Sequence, residues 1–222
     1  MKTIFIHLVF YFISLFLTAQ VRSDANINLV NQNIWRGQYQ AGMSIQPEVN
    51  FIRGNWSFQI WGTSDFEGEE REIDLSIGYN LHNFNIGLTD YWFGGITDAY
   101  LKNHILESNI TYAFTRLHLS LEWNTILTGC DNSYPVFQRI SYSPRWHKCE
   151  YEFAVGYSPW RNEMLNSNGF AINELSASIS KEIGVTRNFR LYCGSSLIYN
   201  PYSDHLFFVC KITIPLIFHV RN

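Results

Sequence analysis

The chain has 222 residues, 46% of them hydrophobic and 17% aromatic but only 16% charged, with a formal net charge of −3. So many rings exclude a disordered chain, and the slight acidic balance excludes a basic nucleic-acid binder, so no nucleic-acid partner is expected. One domain is the expectation at this length, and many aromatics with few charges predict apolar side chains that are not all inside.

Met1 and Lys2 give a short positive start, Ile4 to Leu17 is an apolar run, and Leu-Thr-Ala-Gln follows. This is the pattern of a secretory signal, so residues 1–19 read as a cleaved signal peptide and 20–222 as the mature domain. The run is shorter than the roughly 20 residues that a spanning helix needs. No later segment approaches a spanning helix. Insertion into a membrane after export would therefore require a closed barrel, because only helices and barrels satisfy their backbone groups in lipid.

The mature segment alternates with the period of two that belongs to a strand with two different faces. Ile45, Pro47, Val49 and Phe51 oppose Gln46, Glu48 and Asn50, and Trp56, Phe58 and Ile60 oppose Ser57 and Gln59. Ile73, Leu75, Ile77 and Tyr79 oppose Asp74, Ser76, Gly78 and Asn80; Phe84, Ile86 and Leu88 oppose Asn85, Gly87 and Thr89. The pattern recurs over 106–114, 117–124, 150–157, 174–179, 189–197 and 206–214, with two less regular strands at Ile27 to Arg36 and Val136 to Tyr142. About twelve strands of roughly ten residues result, the length of a tilted transmembrane strand. Pro47 sits inside one of them, although a closed barrel has no edge to host a proline.

The polar face separates this reading from a soluble sandwich. It carries Ser, Gly, Asn, Thr and isolated carboxylates rather than the Lys and Glu of a solvated sheet, which suits a crowded barrel interior with the greasy face in lipid. Links at 53–55, 82–83 and 115–116 are short and those at 62–71, 93–103, 129–134 and 158–169 are longer, as in a bacterial outer-membrane barrel with short periplasmic turns. Trp35, Trp61, Trp92, Trp123, Trp160 and Tyr199, with Tyr91 and Tyr202, fall toward the longer links and read as an aromatic girdle. The fold class expected is thus all-β: a closed antiparallel transmembrane β-barrel of about twelve strands.

No motif for catalysis, a metal or a cofactor stands out. The seven histidines form no His-x-His or His-x-x-x-His pair, and no Gly-x-Ser-x-Gly or phosphate-binding loop is present. His118 and Ser120 share the polar face by spacing and so point inward as a lumenal pair rather than a catalytic one. Cys193 and Cys210 share the apolar face of neighbouring strands, either paired or as free thiols; Cys130 and Cys149 fall at opposite ends of one strand. The chain is therefore expected not to be an enzyme and to carry no cofactor or metal.

The stretches SIQPEVNF, GNWSFQIWGTSDFE, REIDLSIGYN and FNIGLTDYWF between Ser44 and Phe93, with LSLEWNT, VGYSPW, FAINELSASISKEI and NPYSDHLFFVCKI further on, resemble the TorF-type porins common in Bacteroidetes. The resemblance implies an outer-membrane barrel whose function is labelled from its shape. Outer-membrane barrels usually end in an aromatic residue; this sequence ends Phe218-His-Val-Arg-Asn222.

The inward charges are the most function-like feature. Glu48, Asp74, Glu107, Glu122, Glu150, Glu152 and Glu174 are acidic, and Arg36, Arg139, Arg190 and Lys211 are basic. A charge in a dry interior needs a partner or water. If wetted, these side chains line a path for small solutes with a preference for cations; if paired, they plug a closed barrel that serves structure or surface interaction. Membrane lipid is the expected partner in either case.

Overall fold

The computed structural model describes residues 21–68, 70–94, 104–129, 134–187 and 189–216, so the expected signal peptide, Cys130 and the last six residues lie outside the described chain. Fifteen strands occur in chain order: β1 (Arg22–Val30), β2 (Asn33–Trp35), β3 (Gln38–Ala41), β4 (Ser44–Arg53), β5 (Trp56–Asp65), β6 (Arg71–Leu81), β7 (Phe84–Phe93), β8 (His104–Phe114), β9 (Leu119–Thr128), β10 (Val136–Tyr142), β11 (Arg145–Trp146), β12 (Cys149–Ser158), β13 (Ala171–Gly184), β14 (Arg190–Asn200) and β15 (His205–Leu216). Twelve of them close an antiparallel barrel, with β1 paired to both β4 and β15 and β10 paired to both β9 and β12. β2 and β3 form a separate hairpin, and β11 is a short flap on β12.

The alternation in the sequence becomes a barrel with its apolar side outward. Across β6 and β7, Ile77 lies opposite Leu88 on the outer face, while Ser76 and Thr89 meet on the inner one. Ile77 is 47% exposed and Phe153 50%, whereas the inward Glu107 and Ser158 are fully buried. Water would penalise such an outer surface, so it is the lipid-facing surface of a transmembrane barrel. Inside, close backbone approach is set by small residues: a Cβ on Gly87 would lie 2.9 Å from the Ile77 carbonyl oxygen.

One end of the barrel carries tight links. Arg53 pairs with Trp56 and Leu81 with Phe84 across two-residue turns, and a 3₁₀ turn joins β8 to β9. The other end carries the longer connections. Aromatics band both ends of the outer face. At the long-loop end, Trp92 stacks on His104 and Trp123 meets Trp160 edge-on. At the short-turn end, Trp56 packs on Tyr79 and Phe84 on Tyr112, with ring centroids 4.9 and 4.6 Å apart. This second band went unrecognised in the sequence because its rings sit one at a time beside turns.

Several expectations from the sequence are corrected. The first strand ends at Val30 rather than Arg36. Trp35 pairs with Gln38, and Arg36 and Gly37 have φ of 51° and 77°, which is the two-residue hairpin turn with positive φ at both positions. His118 does not share an inward face with Ser120; it takes a left-handed conformation at the end of the 3₁₀ turn. Cys193 lies opposite Ile212 and Cys210 opposite Ser195, so the two thiols are offset by two residues along the strands; they and Cys149 are free. Pro47 is accommodated because the β4–β5 register skips Gln46 and Pro47, which removes the ladder bond a proline nitrogen would have to donate.

Candidate lumenal site

The β2–β3 hairpin folds into the barrel rather than over it. Its flank meets β7, where Trp35 lies edge-on to Tyr91 at 6.1 Å. Its tip reaches the other side, where Asn200 Nδ2 on β14 donates to the Gly37 carbonyl at 3.0 Å. β7 and β14 are six strands apart around a ring of twelve, so the hairpin straps the lumen from wall to wall. Only glycine fits at the tip, because a Cβ on Gly37 would stand 1.9 Å from the Asn173 carbonyl oxygen. At its base, Gln46 donates to Asn33, and Asn33 donates to Glu70 at 3.0 Å.

Arg36 is the charged end of this strap. Its two terminal nitrogens donate to the two oxygens of Glu107 at 2.7 and 2.8 Å, a bidentate fork on a carboxylate with no exposed side-chain surface. Tyr91 Oη and Asn109 Nδ2 also donate to Glu107 Oε1, at 2.9 and 2.8 Å. The guanidinium carbon lies 4.4 Å from the Trp35 ring centroid and 4.7 Å from that of Phe137, within cation–π range. Phe137 is itself seated against Gly156, where a Cβ would be 2.4 Å from the ring.

A polar ladder runs along the wall from this point. Ser76 and Thr89 hydroxyls meet at 3.0 Å, Thr89 donates to Asn109, and Asn109 donates to Asn124. Beyond it, Arg139 on β10 binds three carboxylates from three strands: Glu122 on β9 at 3.4 Å, Glu152 on β12 at 2.5 Å and Glu174 on β13 at 3.3 Å. One guanidinium cannot neutralise three carboxylates, so this part of the wall stays negative.

The remaining charges expected at the lumen are dispersed. Glu48 accepts from Asn50 at 2.5 Å, and Asp74 stands opposite Trp61 on the inner face of β6. Glu150 pairs with Arg145 and Arg190 with Glu182 near the short-turn end. Lys211 faces inward opposite Gly194. Of the expected girdle, Trp92, Trp123, Trp160 and Tyr199 are on the outer face, with Trp123 and Trp160 over 40% exposed. Trp35 and Trp61 are not: Trp35 belongs to the strap, and Trp61 shares the inner face with Gln59 and Thr63 because side chains alternate. Tyr91, read with them, also points inward.

Sequence reasoning placed Asn109 on the inward face with Glu107 but missed Glu72, Tyr91 and Phe137 as inner-wall residues. Parity marks all three: Glu72 shares a face with Asp74, Tyr91 with Thr89 and Phe137 with Arg139. It also missed an outward polar pair, in which His104 Nδ1 lies 2.9 Å from Asp90 Oδ2 and the imidazole stacks on the Trp92 ring.

No family model matches the chain, and no curated protein is similar to it. Among solved structures, a membrane protein from work on the mechanism of in-meso crystallization aligns over 90% of this chain and 85% of its own, with 11% identity and a TM-score of 0.51. Two mutants of the Rh. blastica porin align with TM-scores of 0.42 and 0.41 at 8% identity, over 86% and 83% of this chain and 73% and 62% of theirs. The chain thus spans less than two thirds of the length of the second porin chain. The first of these likenesses bears on the fold alone, that of the closed antiparallel β-barrel described above.

Proposed function

We propose that this protein is a narrow porin-like pore of a bacterial outer membrane, exported by residues 1–19 and passing small solutes with a preference for cations. The observation that carries the reading is the negative surplus on the inner wall, most concentrated where Arg139 faces Glu122, Glu152 and Glu174. Carboxylate rings give cation preference in narrow channels because the low-dielectric wall focuses their field. The strap bearing Arg36 then sets the constriction. Single-channel recording in planar bilayers under a potassium chloride gradient tests this. The expected result is small, cation-selective steps, with Glu122→Gln and Glu152→Gln moving the reversal potential toward zero.

A second reading is a closed barrel serving structure or surface interaction. The bidentate pairing of Arg36 with Glu107 at the end of the strap favours it. Folded protein that gives no conductance at any voltage would decide for this reading.

A further inference from the structure

We propose that the inner wall carries a guanidinium-binding site, formed by Glu107, Tyr91, Asn109 and Phe137, in which Arg36 of the chain's own hairpin is the resident occupant. The inference deepens the pore reading and rests on it only for the consequence, not for the binding: solutes that bear a guanidinium group compete for this place and release the strap.

The wall supplies every fixed element of the site. Glu107 is held from its own side by Tyr91 Oη at 2.9 Å and Asn109 Nδ2 at 2.8 Å, and Asn109 is held in turn by its bonds with Thr89 and Asn124. The carboxylate is therefore aimed whether or not the hairpin is present. Phe137 offers a π-face 4.7 Å from the cation, and the missing side chain of Gly156 leaves the room in which the ring sits. Two parallel oxygens and a flat ring select a planar fork. An ammonium ion is a point charge and matches neither.

The occupant is held elsewhere by contacts that carry no charge pair, among them the edge-on meeting of Trp35 with Tyr91 and the close seat of Gly37 on Asn173. The hairpin's other anchors are neutral hydrogen bonds from Asn200 and Gln46 and the Asn33–Glu70 contact. A buried ion pair contributes little beyond the desolvation it costs, so exchanging one guanidinium for another is close to balanced. What favours Arg36 is its tether, which gives an effective concentration on the order of millimolar.

The test uses the full chain folded in detergent, with methylguanidine and methylammonium as probes. Arg36→Ala is expected to bind methylguanidine about tenfold more tightly than methylammonium by titration calorimetry, since only the former makes the fork. Arg36→Ala with Glu107→Gln is expected to lose that difference. In the unaltered protein, methylguanidine above the tether's millimolar range is expected to speed chymotrypsin cleavage at Trp35 and Tyr39, and methylammonium is not; this arm needs no variant to fold. Equal binding of the two probes by folded Arg36→Ala, or cleavage indifferent to methylguanidine, overturns the site. Bilayer current from the same preparations reports on the pore separately: binding without conductance keeps the site and removes the pore, and conductance without binding does the reverse.

Discussion

Gly37 sets the position of the strap's tip. Its φ of 77° lies in the left-handed region, and its missing Cβ leaves room for the Asn173 carbonyl. A side chain there meets both backbone strain and a collision, so Gly37→Val should unseat the hairpin at a local cost above about 1 kcal/mol. The expected readout is rapid chymotrypsin cleavage at Trp35 and Tyr39, with the barrel's heat-resistant electrophoretic mobility unchanged. Unaltered cleavage would mean that the tip does not bear on β13. At this scale the sequence was only partly legible. Arg36 and Glu107 were each recognisable as lone charges, but the bond between them joins positions 71 apart. No local pattern encodes such a meeting; it follows from which strands are neighbours and how far the turn reaches.

Among the elements, β10 depends most on its charges. It is 7 residues long, and Arg139 ties it to β9, β12 and β13. Arg139→Ala leaves three partly buried carboxylates facing each other and should destabilise the barrel by about 2–4 kcal/mol, against 3–5 for a fully buried pair. Arg145, 77% exposed in its pair with Glu150, gives the control. Its loss should change the unfolding free energy read from urea titration by less than about 1 kcal/mol. A pH response belongs to the base of the strap. Burial pushes the Glu70 carboxyl up, the Asn33 amide opposes this, and Asp65 adds to it, for a net rise. Because the folded-state value is raised, its contribution is full below the ordinary carboxylate range and fades as pH rises through the shifted value. Cleavage of the hairpin should therefore increase as pH rises above the ordinary carboxylate range, and Glu70→Gln should flatten that rise. The barrel strands themselves were legible, since one face of each meets lipid and the other does not, and period two records that contrast directly. The β2–β3 hairpin was not: strands of 3 and 4 residues are too short to show a period, and Trp35, in phase with Ile27 and Leu29, prolonged the reading of β1.

For the whole molecule, the outward direction of the apolar side chains is the property on which the rest depends, and neighbouring residues on one strand test it. Ile77 faces out and Ser76 faces in. A charge on the lipid face near the midplane costs roughly 2–4 kcal/mol, whereas a lumenal one is tolerated. Ile77→Lys should thus lower the folded fraction in liposomes sharply, and Ser76→Lys should leave folding intact while shifting ion preference toward anions. Equal effects of the two would refute the orientation. The strap also fixes an order of events in time. It sits in the first connection of the barrel, yet the asparagine that grips its tip lies 163 positions later. Contacts that span so much sequence form late, because the intervening chain must already be confined. The barrel must therefore be nearly complete, and still hollow, before its own hairpin can enter, so the newborn protein passes through a wider-bored stage than the mature one.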